Sequence, residues 1–143
     1  MMDAKTKRHI RKRAGQRCEY CQLHQDQSPL VPLQLEHIVP KKHGGTDTED
    51  NLALACIDCN GGKLNHVDGQ DSLNGEVVPL FNPRTQSWHD HFQWSVDVPF
   101  EIIGKTPCGR ATVQRLALND SEMLRLRMLY AELGFDCTKT DFE

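Results

Sequence analysis

Across Leu33–Val39 apolar side chains alternate with polar ones, the two-residue period of a half-buried strand, until His37 takes the place of a third inward apolar residue. Pro40 ends that run. A second apolar run, Asn51–Ala55, reads as another short strand, and the polar "KKHGGTDTED" between the two, with its paired glycines, reads as a loop. Upstream, "AKTKRHIRKRAG" predicts a short helix stopped by Gly15, followed by a tight "RCEYC" knuckle and a loop over residues 22–32. Downstream, "CIDCNGGKLN" is a second knuckle leading into a short helix opened by Asn60.

The pattern then changes. Residues 67–82 read as a loop with a short strand at Val77–Leu80, and "FNPRTQSWHDHFQW" is rich in aromatics and histidine. A helix is expected from near Ala111. The clearest helix is "NDSEMLRLRMLYAELG", with Asn119 and Glu122 as a capping box, Leu118 and Met123 as a staple, and Gly134 as its end. Met123, Leu126, Tyr130 and Leu133 fall on one side of it, the expected core face. The fold class is therefore α+β, with a mostly helical C-terminal extension. The expected division is residues 1–66 as a basic N-terminal helix plus core, and 67–143 as an extension packing on that core.

Charge adds a partner class. The whole chain carries a net −3, but residues 1–66 hold ten Lys and Arg against eight Asp and Glu, whereas 67–143 hold seven against twelve. Lys5, Lys7, Arg8, Arg11, Lys12, Arg13 and Arg17 follow one another with no acid between them. Such a run is either a solvated helix face or a phosphate-binding patch. No apolar stretch approaches the ~20 residues of a membrane span, and the basic, polar start is unlike a secretory leader, so a cytoplasmic location is expected.

Cys18-x-x-Cys21 and Cys56-x-x-Cys59 supply four thiolates in two knuckles, the pattern of a tetrahedral structural Zn(II) site. A disulfide pairing is the alternative and requires an oxidising compartment. Cys108 and Cys137 read as ordinary thiols.

Zinc leaves Glu36, His37, Asn51 and Asn60 unexplained. Singly, each has a plain reading: a solvated acid, a satisfied histidine, a turn former and a helix cap. Together, inside a cysteine clamp, they call for an explanation of their own.

The stretch "CEYC…LEHIVPKKHGGTDTEDNLALACIDCN" resembles the HNH endonuclease family. The shared features are an acid–His pair ending a strand, a Gly-Gly turn, Asn-Leu opening the next strand, and Cys-x-x-Cys followed by Asn. The spacings from His37 to Asn51 to Asn60 resemble those in the nuclease domain of RNA-guided DNA endonucleases. The zinc-clamped form resembles phage junction-resolving endonucleases. "LFNPRTQSWHDHFQW" and "GRATVQRLALN" resemble the C-terminal part of short stand-alone bacterial HNH proteins.

The resemblance implies a ββα-metal (His-Me finger) centre and hydrolysis of DNA phosphodiester bonds to 5′-phosphate and 3′-hydroxyl ends. It implies His37 as general base, Glu36 and Asn60 as ligands of a catalytic Mg(II) or Mn(II), and Asn51 as the residue fixing the loop. The family's usual acid is Asp where this chain has Glu36. Arg8, Lys12, Arg13, Lys41, Lys42, Lys63 and Arg84 are the expected nucleic-acid contacts. His43 is a candidate brace or phosphate contact. The aromatics near Arg84, with His89 and His91, are either a stacking surface or a small core. The rival readings are a non-catalytic zinc-ribbon nucleic-acid module and a nuclease-derived protein-binding scaffold.

Overall fold

Asp3 starts helix α1 (Ala4–Arg13) by accepting from the Thr6 N–H at 2.8 Å, and Gly15 follows it at φ +64°, the left-handed conformation expected of a C-terminal stop. The computed structural model describes residues 2–139. Only Ile10 of α1 is buried, so the helix is held chiefly at its end. There Arg13 donates to the carbonyls of Glu49 and Leu52 at 2.9 and 2.7 Å.

Strands β1 (Gln34–His37) and β2 (Leu52–Ala55) form an antiparallel pair, with Glu36 opposite Ala53 and His37 opposite Leu52. The expected strands overran by a residue or more. Leu33, Ile38 and Val39 lie outside β1, and Asn51 belongs to a 3₁₀ turn, Glu49–Asn51. All four β2 residues are buried, because α1 and the first knuckle pack beside the hairpin; each leucine there contributes roughly 1.5–3 kcal/mol. Helix α2 (Ile57–Lys63) follows directly and packs on β1. Cys56 is its N-cap, so Asn60 sits mid-helix rather than opening it.

The C-terminal part is less helical than its pattern suggests. Two further hairpins, β3 (Asp68–Gln70) with β4 (Val77–Pro79) and β5 (Phe92–Trp94) with β6 (Ile102–Gly104), alternate with helices α3 (Trp88–His91), α4 (Pro107–Arg115) and α5 (Ser121–Glu132). Helix α4 starts four residues before Ala111, because Thr106 caps it from Oγ1 to the Gly109 N–H and Pro107 suits the first turn. The cap of α5 is Asp120, not Asn119. Asn119 instead brackets β6, accepting from the Ile102 N–H at 2.8 Å and donating to its carbonyl at 2.7 Å. Met123 is buried as expected, but Leu126 and Leu133 are 37% and 71% exposed. Gly134 does follow α5 at φ +94°.

One apolar cluster runs from Cys18 and Tyr20 through β2 to Phe81, Trp88, Phe92, Ala111 and Met123. The aromatic segment belongs to this core: Phe81 meets Phe92 edge-on at 5.2 Å, and Trp88 donates from Nε1 to the Tyr20 carbonyl at 2.8 Å. No described helix is long and apolar enough to cross a membrane.

Candidate active site

The two knuckles bring Cys18, Cys21, Cys56 and Cys59 together, all buried, with every sulfur within 4.8 Å of the others. The N–H of Cys21 points at the Cys18 sulfur and that of Cys59 at the Cys56 sulfur, the local turn a Cys-x-x-Cys knuckle makes. Cys21 Sγ and Cys56 Sγ are 3.7 Å apart. A tetrahedron with Zn–S bonds of 2.3 Å has edges of about 3.8 Å, so the four thiols fit zinc. Burial pushes the Cys18 thiol up and the neighbouring sulfurs push Cys59 up, while Cys56, accepting from the other three, is pushed down. Through Glu19 the first knuckle is laced to β2: its N–H donates to the Leu54 carbonyl at 2.9 Å, and its Oε2 accepts from the Leu54 N–H at 2.8 Å.

The loop between β1 and β2 is tied at its base by Asn51. Its Nδ2 donates to the carbonyls of Val39 and Thr46 at 3.0 and 2.8 Å, and its Oδ1 accepts from the Val39 N–H at 2.9 Å. Gly45 allows that closure, since a Cβ there would fall 1.6 Å from the Val39 carbonyl oxygen. The loop carries Asp47 back to the strand end, where His37 Nε2 donates to Asp47 Oδ1 at 2.7 Å. Lys41 joins Asp47 Oδ2 at 3.1 Å. The bonds from His37 and then Lys41 hold the Asp47 carboxyl below the ordinary carboxylate range.

Residues 34 and 36 lie on the opposite side of β1 from His37 and meet α2. Asn60 Nδ2 donates to Gln34 Oε1 at 2.6 Å, which leaves its Oδ1 outside that bond. Glu36 is only 5% exposed and both its oxygens have partners: Lys63 Nζ lies 3.0 Å from Oε1, and the Tyr20 hydroxyl 3.3 and 3.2 Å from the two oxygens. Lys63 donates further to the carbonyls of His37 and Ile38 at 3.2 and 2.9 Å, so its three protons meet three oxygens. Burial pushes the Glu36 carboxyl up, and Lys63 opposes that shift. The oxygens of Glu36 and Asn60 are of the type that suits a hard divalent cation, but Lys63 already neutralises the carboxylate.

Residues 18–66 match the family model for HNH endonuclease. No curated protein and no solved structure matches the chain. The HNH segment thus begins at the first zinc-type cysteine and ends just past α2, enclosing the clamp, the tied loop and the Glu36–Lys63 pair.

Of the expected nucleic-acid contacts, Arg8, Lys12, Arg13, Lys41 and Lys42 are exposed. Three of the seven already hold partners within the protein. Lys63, at 2% exposure, serves Glu36 and two carbonyls, so it is not a surface contact. Arg13 binds the base of the loop. Arg84 turns inward onto Glu19. His43 and His66 are exposed, and His91 pairs with Thr106 Oγ1 at 2.7 Å. Three participants were not anticipated from the sequence: Asp47, Tyr20 and Gln34. Only Asp47 left a trace there, as the first of three acids in a glycine-turned loop beginning four residues after His37.

Proposed function

We propose that this protein is a metal-dependent DNA endonuclease that hydrolyses phosphodiester bonds, with His37 as general base in a zinc-clamped ββα-metal centre. The observation that carries this reading is the His37–Asp47 pair, set at the end of β1 by a loop that Asn51 closes. With Asp47 accepting at Nε2, the ring's proton is fixed there and Nδ1 keeps the lone pair that takes a proton from the attacking water. Glu36 and Asn60 would hold Mg(II) or Mn(II), which supplies stabilisation of charge on the phosphate and the leaving oxygen. The exposed Lys41, Lys42, Arg8 and Lys12 would contact phosphates. Four reduced thiols holding zinc suit the cytoplasm.

The test is nicking of supercoiled plasmid with and without Mg(II) or Mn(II), by the wild type and by His37→Ala. Metal-dependent nicking that His37→Ala loses supports the reading; metal-independent nicking, or an unaffected variant, overturns it. One observation favours a non-catalytic nucleic-acid module: Glu36 is already neutralised by Lys63. That reading predicts plasmid binding with no nicking in any metal.

A further inference from the structure

We propose that a basic, aromatic cleft between the end of α1 and the α3–β5 segment binds single-stranded nucleic acid, apart from the HNH hairpin. It has a volume of about 710 Å³, in the range of ligand sites. Lys12, Arg13, Arg17 and Lys139 line it, together with Trp94 and His89, and no acidic residue is among the described lining residues. The kind of ligand rests on the nuclease reading; the place rests on the cleft itself.

The positive end continues inward. A smaller cleft of about 220 Å³ shares Arg13, Arg17 and Trp88 with the first and is lined by Glu19. Glu19 is the one carboxylate lining it, and Arg84 already engages it. Arg84 is nine-tenths buried and holds Glu19 from behind that lining.

The aromatic wall is held rigidly. Trp94 packs on Trp88 at 5.6 Å, and Arg127 lies over its ring at 5.8 Å. His89 stands edge-on to Trp88 at 5.0 Å and is exposed. Aromatic rings beside lysines and arginines recognise unpaired bases on a phosphate backbone, whereas a duplex hides its base faces. Arg13 also links the cleft to the carbonyls of Glu49 and Leu52, at the foot of the loop that carries Asp47. A strand parted from a duplex at His37 would therefore find the cleft close by.

Both of the chain's tryptophans line this cleft, so their fluorescence reports on it directly. The protein without added divalent cation is titrated with an oligo(dT), with a duplex of equal length and with inorganic phosphate. The expected result is saturable quenching by oligo(dT) that weakens steeply with salt, and affinity about tenfold lower for the duplex and lower still for phosphate. Lys139→Glu, outside the phosphate contacts of the nuclease reading, should weaken oligo(dT) binding by about threefold or more. Quenching by the duplex as strong as by the single strand, binding seen by anisotropy of a labelled oligo(dT) with no change in tryptophan emission, unaltered affinity in the charge-reversed variant, or no binding would each overturn it. Plasmid nicking reads the other site separately. Nicking without quenching discards the cleft alone, and quenching without nicking discards the nuclease reading alone.

Discussion

His37 Nε2 and Asp47 Oδ1 lie 2.7 Å apart, joining the end of β1 to the far side of its own loop. Because Asp47 is held below the ordinary carboxylate range by His37 and Lys41, it stays anionic above about pH 4 and keeps the imidazole in one tautomer. Asp47 is a positioning residue. Asp47→Asn should lower kcat by about tenfold or more with KM for plasmid little changed, and it should alter the pH profile of cleavage; Asp47→Glu should recover part of the loss. His37→Ala should lose about 10²–10⁴-fold. Wild-type rates and pH profile in Asp47→Asn would show that the loop serves packing alone.

The two asparagines should fail differently. Asn51 makes three hydrogen bonds that close the loop, each worth about 1 kcal/mol, so Asn51→Ala should lower thermal stability and kcat together. Asn60 makes one bond, to Gln34, and in the proposed centre offers its Oδ1 to the cation. Asn60→Ala should instead raise the metal concentration needed for half-maximal nicking. Coincident metal titrations for the two variants would contradict the division.

How far the sequence could be read depended on whether an interaction was local. The knuckles, the hairpin strands, Gly15 and Gly134 were legible because each rests on neighbouring residues. Asn119 was misassigned as a cap because its partner, Ile102, lies 17 residues earlier on β6, with the whole of α4 between them. Lys63 reads in sequence as one more surface cation; only folding shows that three oxygens enclose it. Arg84 is similar, since Glu19 reaches it from 65 positions earlier. Leu126 and Leu133 share a helical face with Met123 by period, yet no described element covers them fully, and period alone cannot supply a neighbour.

The clamp predicts one Zn(II) per chain after purification without added metal, measurable by elemental analysis. Cys59→Ser should unfold or aggregate the protein, because the hairpin has little core of its own and zinc binding is coupled to its folding. A folded, stable, zinc-free chain would remove the clamp.

Acid stability should report a pair outside the site. Asp71, with no exposed side-chain area, receives Arg110 through Nε and Nη2 at 2.7 and 2.9 Å. Arg110, and then the Leu73 N–H, hold its carboxyl below the ordinary value of 3.8. A carboxyl whose pKa is lower folded than unfolded stabilises fully above the unfolded value, and that contribution is lost as pH falls through the folded one. Melting temperature should therefore drop on acidification below about pH 4, and the part of that drop due to Asp71 should be absent in Asp71→Asn. An identical acid profile in the variant would show that the pair does not titrate with folding.

Glu36 and Lys63 decide what the centre can hold. Their side chains are 4% and 2% exposed and 3.0 Å apart, and breaking such a buried pair from one side costs about 3–5 kcal/mol. Lys63→Met should therefore lower the melting temperature, because it leaves a carboxylate buried beside Tyr20 without its cation. If Glu36 is a ligand of the catalytic metal, Mn(II) and Lys63 compete for one anion. Mn(II) should then raise the melting temperature of Lys63→Met more than that of the wild type, by up to about 2.7 kcal/mol in stability at a hundredfold excess over Kd. The double variant Glu36→Gln, Lys63→Met carries no buried charge there, so it should regain much of the lost stability and show no Mn(II) response from this centre. Glu36→Gln alone should lose nicking. Equal Mn(II) shifts in the wild type, Lys63→Met and the double variant would mean that Glu36 holds no cation and serves only to anchor Lys63 beneath His37.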